Sequence, residues 1–343
     1  MSLVGQASST RRGTLSAMSG KRSFEDQIAD LDALRQHPPA AAAQPLRKAL
    51  THRNNYVVAK AADLAREFAL ADLLPELLAS FNRFFKDPSK SDPQCWAKNA
   101  LARALAAFEY QEPDVFLRGM RHIQLEPVWG GRSDTAGTLR ATCALALVQC
   151  RGLNETDLLT HLVELFADKD KSVRLEAARA VEQVGSPAAA LLLRLRATLA
   201  SDEPEVLGAC YGGVLRIEGR SAIPWLAQFL TSADDCAAEA ALVLASDRSA
   251  ESFAALHKRL LDDPSSDPWF RSVLLSAIAL TRQTEAIDFL LQCIHSESLH
   301  AEAAIEALLQ AGPSPELVQQ LQITVSPNPR LAQFLASHLP SRP

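Results

Sequence analysis

No stretch of this 343-residue chain approaches the roughly 18 apolar residues that a membrane-spanning helix needs; the run from Ala188 to Leu193 is cut at once by Arg194 and Arg196. No membrane association is expected. Aromatic residues are only 6% while apolar residues reach 48%, much of that Ala and Leu, which suits helix packing and leaves little material for a sheet. The six cysteines (Cys95, Cys143, Cys150, Cys210, Cys236, Cys293) form no C-x-x-C pair. All but Cys95 fall in Ala/Leu-rich stretches where Cys acts as a small hydrophobe, and free thiols fit a reducing, cytoplasmic compartment. Also missing are a Gly-rich phosphate loop, a nucleophile elbow and a paired catalytic carboxylate. No catalytic residue, cofactor or metal is implied. His295 and His300 are separated by the turn-like Ser296-Glu297-Ser298 and suit surface or capping roles better than metal ligation.

Charge is scarce in one sign where it would matter for nucleic acid. Residues 1–23 carry a net +4 with no acid, residues 24–200 carry 22 basic and 22 acidic side chains, and residues 201–343 carry 9 and 18. A body that is neutral and then acidic offers no phosphate-tracking surface. The acidic half reads either as a solvated surface or as a docking face for a basic partner. The first 23 residues are rich in Ser and Gly and lack an apolar block, so they read as a disordered basic tail rather than a secretion signal; a chain starting at Met18 would lose nothing foldable.

What the chain does have is one pattern returning eight times. A large apolar residue is followed four places on by a small one inside an Ala-, Leu-, Arg- and Glu-rich stretch, with starts at Val57, Trp96, Leu139, Val173, Val206, Cys236, Phe270 and Leu299. The mean spacing is about 35 residues, the range in which one supersecondary unit is stacked on the next. Between copies lies a second apolar-periodic segment, such as Leu158, Leu162, Leu165 and Phe166 on one helical face. Each period is therefore a helical hairpin, its link short and polar as in Asp168 to Ser172, with Asp170 placed to cap the second helix. The fifth position is small (Ala61, Ala100, Cys143, Ala177, Cys210, Ala240, Ala303; Leu274 departs), because helices approach closely only where no bulk intervenes. A first helix is expected over Phe24 to Gln36 and a closing cap over Arg330 to Leu339. The reading is all-α: a solenoid of about eight hairpins in a right-handed superhelix, occupying residues 24–343.

The chain resembles the HEAT-repeat family, in its shorter HEAT-like units, through Asp-x-x-Val-Arg at Asp170 to Arg174. Weaker forms are Asn54 to Val57 and Asp267 to Arg271, and prolines stand near first-helix starts at Pro45, Pro75, Pro187 and Pro224. The resemblance spans about residues 40–340 and implies a scaffold rather than one activity. HEAT-like iron hydroxylases repeat a His-Glu pair, which this sequence lacks. The remaining alternatives implied by the family are an accessory role like that of chromophore lyase subunits and a HEAT-like DNA glycosylase; the charge distribution counts against the second.

The favoured function is a non-catalytic scaffold, expected to be monomeric, that binds a protein segment along its curved surface. Its candidate interaction residues are Trp129, Gly130, Gly131 and Arg132, in the long connection from Glu126 to Asp134, with Glu239 and Glu302 on the acidic half. Long ordered loops are often binding elements; the competing expectation is that Trp129 folds back over the groove between units two and three. A second candidate is the outward row two places after each start: Ala59, Lys98, Ala141, Leu175, Gly208, Ala238, Ser272 and Ala301. It could line a trough for a partner helix, although close packing between hairpins would demand the same small residues.

Overall fold

The computed structural model describes residues 24–262 and 267–339; the expected basic tail, residues 1–23, lies outside the described residues. Helix α1 (Phe24–Ala33) runs into a 3-10 turn over Leu34–Gln36, as the apolar spacing predicts. Pairs follow: α2 (Pro39–Leu50) with α3 (Asn55–Glu67), and α4 (Leu74–Arg83) with α6 (Trp96–Ala107), the short α5 (Pro88–Ser91) lying between them. Next, α7 (Pro113–Met120) is linked through strands β1 (Leu125–Val128) and β2 (Gly131–Asp134) to α8 (Gly137–Val148). Helices α9 (Glu155–Glu164) and α10 (Lys171–Val184) precede α11 (Pro187–Leu199) and α12 (Pro204–Glu218). Helix α13 (Ile223–Leu226) lies between 3-10 turns at Gly219–Ala222 and Ala227–Leu230 and precedes α14 (Asp235–Asp247). The chain ends with α15 (Ala250–Asp262), α16 (Pro268–Thr281), α17 (Thr284–His295), α18 (Ala301–Gln310), α19 (Pro315–Val325) and α20 (Pro329–His338). All eight repeat copies fall on the second helix of a pair.

Contacts between these second helices run in sequence order: α3 packs on α6, α6 on α8, α8 on α10, and so through α12, α14, α16 and α18 to α20. The small fifth positions make this possible. Ala61, Ala100, Cys143, Ala177, Cys210 and Ala240 are fully buried, and the glycines bring backbones closer still. A Cβ on Gly213 of α12 would lie 2.6 Å from Leu193 of α11. In the eighth copy the register differs from expectation: Leu299 is exposed ahead of α18, Ala303 is half-buried, and Ala304 takes the buried place. His300 terminates a turn there, so the helix starts two residues later than the pattern's first residue.

Local chemistry sets the helix boundaries. The side chains of Asn54, Asp170, Asp234 and Asp267 accept hydrogen bonds from the first-turn amides of α3, α10, α14 and α16. Pro187 opens α11, while Pro75 and Pro224 stand at the second positions of α4 and α13. Pro45 does not mark a start: α2 begins at Pro39, which leaves Pro45 inside the helix. Arg174 of the Asp-x-x-Val-Arg stretch, and Arg140 at the matching position of the preceding copy, each have a partner in the next inter-helix turn. Arg140 reaches Asp168 at 2.7 and 2.9 Å, and Arg174 reaches Asp202 at 3.0 Å, both across 28 residues. These charge-assisted pairs tie consecutive units through their inter-helix turns.

Candidate interaction site

The connection expected as an irregular loop is a β-hairpin. Leu125 pairs with Asp134 and Val128 with Gly131, leaving Trp129 and Gly130 as a two-residue turn. Gly130 has φ of +85°, a conformation glycine adopts without strain and one that lets so short a turn close. The ladder extends one pair further, because Thr135 N donates to the Gln124 carbonyl at 2.9 Å. Asp134 then secures the exit: its Oδ1 accepts from Gln124 N and Ala136 N, both at 3.0 Å, and its Oδ2 accepts from Arg140 at 2.6 Å. These bonds hold the Asp134 carboxyl below the usual carboxylate range against the opposing effect of burial.

Beneath the hairpin lies the most polar part of the interior. Lys98, placed in the outward row by sequence, is 0% exposed. Its Nζ forms an ion pair with Asp92 Oδ2 at 3.0 Å and donates to Gln124 Oε1 at 2.9 Å. Gln124 Nε2 donates to the Asp92 carbonyl at 2.8 Å and to Glu126 Oε1 at 2.5 Å. Glu126 also accepts from Gln94 N at 2.8 Å, Gln94 Nε2 at 3.0 Å and Thr135 Oγ1 at 2.9 Å. Burial would raise the Glu126 pKa, but these donors outweigh it and lower it. Asp92 meanwhile takes the amides of Ala97 and Lys98, each at 2.9 Å, so it caps α6 from the turn. Non-glycine residues Gln94 and Cys95 sit at φ of +61° and +54° in that turn. Such backbone costs about 1–3 kcal/mol per residue and persists only where surroundings over-determine it. The network supplies that constraint, and it also buries Cys95, whose thiol is pushed up to about 11 chiefly by burial.

Trp129 stands on this fixed stem at 103% relative exposure, so it does not fold back over the groove between units two and three. A two-residue turn gives its indole no path to the body. Val128 is exposed beside it, and Ile123 and Leu125 are exposed at the foot of the stem. Gly131 has open space around it, and Arg132 donates to the Leu125 carbonyl at 3.2 Å. Leu125, Arg132 and Asp134 line one side of a groove of about 870 Å³ whose other wall includes Glu164, Asp168 and Asp170.

The remaining candidate residues stand apart from the hairpin. Glu239 of α14 packs on Gly208 of α12, where burial first, then Glu205 and Asp235, raise its pKa. Glu302 of α18 accepts from Arg330 of α20 at 2.6 and 3.0 Å, so its charge joins the last two second helices. The outward row is corrected as well: Lys98, Ala141, Gly208 and Ala301 are buried and Ser272 is exposed, so these positions do not form one trough. Close approach of neighbouring helices accounts for their small size. Lys98 and its partners had no signal of this kind, because a lone Lys in an Ala-rich helix reads as solvated.

No protein-family profile matches the chain, and no curated protein matches it significantly. Two crystal structures of engineered proteins are similar to it at a distance. One is 17% identical over 92% of this chain and 94% of its own, with a TM-score of 0.32. The other is 18% identical over 86% and 96%, with a TM-score of 0.18.

Proposed function

We propose that the chain is a HEAT-like α-solenoid, about eight hairpins in a right-handed superhelix closed by α19 and α20, and that it serves as a non-catalytic scaffold for a protein partner. The second helices supply the layers, each in contact with the next. The single observation that carries the functional reading is the hairpin: a fully exposed Trp129 on a stem held by the buried Lys98–Asp92–Gln124–Glu126 network. Indoles are favoured binding anchors because they offer large area and few rotamers, and a rigid stem removes the ordering cost of a loop. A monomer with a peptide-like segment lying on Trp129 and on the hairpin face of Leu125 and Arg132 fits this surface.

The test replaces Trp129 by a photo-crosslinking amino acid in the native host, with Leu191, also exposed and on α11, as control. A protein crosslinked from position 129 and not from 191, and lost from affinity capture by Trp129→Ala, supports the scaffold. Binding should weaken by about 1–3 kcal/mol, while stability stays within about 0.5 kcal/mol because an exposed side chain leaves no cavity. Equal retention of every partner by Trp129→Ala would remove the hairpin from the reading.

A further inference from the structure

A second exposed surface adjoins the network under the hairpin, where Asn55 donates to Asp92 Oδ1 at 2.9 Å. Phe24 at the start of α1, Tyr56 in the first turn of α3 and Trp96 at the start of α6 are all exposed, although aromatic residues are few in this chain. They touch in series: the Phe24 and Tyr56 centroids are 5.8 Å apart at 57°, and those of Tyr56 and Trp96 are 5.4 Å apart at 67°. The rings flank a groove of about 660 Å³ whose lining also holds Glu25, Ile28 and Asp32 and, among the described residues, no cationic side chain. Helix α1 itself carries Glu25, Asp26, Asp30 and Asp32 and no Lys or Arg. Asp32 of the lining is paired with Lys60 and Arg35, which keeps it fixed at the groove wall.

We propose that this groove binds arginine side chains of a basic peptide segment from a partner protein. Ring faces and carboxylates together recognise a cation, the first through their quadrupoles and the second through charge. The geometry selects among cations. A tilted series of rings leaves open faces rather than an enclosing box, and a planar guanidinium stacks on such a face, whereas a compact, strongly hydrated ammonium gains less there. The chain uses the same contact internally: Arg194 lies 4.4 Å from the Trp225 ring centre and Arg118 lies 4.1 Å from that of Phe85. The tight pairing of Phe24, Tyr56 and Trp96 across three helices also fixes the groove before any ligand arrives. The reading of this site is separate from that of the hairpin: its lining meets the network under the hairpin only where Asn55 donates to Asp92, and none of the three rings belongs to that network.

The experiment measures fluorescence anisotropy of labelled hexa-arginine, hexalysine and hexaglutamate peptides titrated with the full chain at about 0.15 M salt, where exposed charges are screened beyond ~8 Å. Hexa-arginine is expected to bind at least about ten times more tightly than hexalysine, and hexaglutamate not at all. Trp96→Ala should weaken hexa-arginine binding about tenfold or more, Trp96→Phe should restore most of it, and Glu25→Gln should cost about threefold. Trp129→Ala should leave these constants unchanged, which separates this site from the hairpin. Thermal melts of each variant guard against misfolding, and Tyr56→Leu provides a second ring deletion should Trp96→Ala melt early. Equal affinities for the arginine and lysine peptides, or indifference of a folded Trp96→Ala or Tyr56→Leu variant, would overturn the proposal in favour of diffuse attraction to an acidic surface.

Discussion

Asp202 shows how much one carboxylate does at the joints between units. Its side chain is 1% exposed and pairs with Arg174 at 3.0 Å and with Arg196. Burial alone would push its pKa up; contacts with Glu203, Arg196 and Arg174 outweigh that and bring it down to about 2 from 3.8. The unfolded chain therefore binds the proton more tightly, so the stabilisation is complete at pH above about 4 and disappears as pH falls towards 2. At about 1.4 kcal/mol per unit the effect is worth about 2 kcal/mol. Asp202→Asn should lower stability at pH 7 by about 2–3 kcal/mol, since Arg174 and Arg196 lose their shared partner. It should also flatten the acid limb of a urea-unfolding stability curve between pH 4 and 2. An unchanged acid limb would assign the pH dependence to other carboxylates, of which Asp134 and Glu126 are also held low.

Among the elements, the β-hairpin differs most from its surroundings, and the centre of its support, Asp92, Lys98, Gln124 and Glu126, is buried. Lys98→Met keeps the stem's volume but removes the donor that joins Asp92 to Gln124. Deleting one partner of a buried pair leaves the other uncompensated, so a loss of about 3–5 kcal/mol is expected. Backbone amides of Gln94, Gln124 and Thr135 should then exchange with solvent faster than those of α10, which the network does not touch; protection unchanged at these three amides would mean the hairpin is held by its own ladder. The second helices were legible from sequence because a period near 35 and the pattern of large and small residues are local. Asp170, a capping residue beside Val173 and Arg174, was legible for the same reason. The hairpin was not, since Leu125 to Val128 and Gly131 to Asp134 are each only four residues long and one holds a proline. Nor was the role of Lys98, whose partners lie 6 and 26 residues away and come together only when α6 packs under the hairpin stem. Trp129 was recognised as a candidate because an indole beside two glycines is unusual, but only the turn geometry shows that it points outward.

At the scale of the whole molecule, the order of helix contacts makes a claim about shape that the solenoid proposal can be held to. Second helices touch in sequence order from α3 through α20, and contacts between first helices likewise join near neighbours, such as α2 with α4 and α17 with α19. Layers of this kind sit about 8–10 Å apart, so nine second helices in file extend over roughly 65–80 Å before curvature. A compact globule of this length would have a radius of gyration of about 20 Å. Small-angle X-ray scattering of the chain should give a value several ångströms larger, with a distance distribution skewed towards a long tail. A radius near 20 Å with a symmetric distance distribution would mean that the ends of the chain fold back on one another, and the proposed array would have to be abandoned even though every helix remained in place.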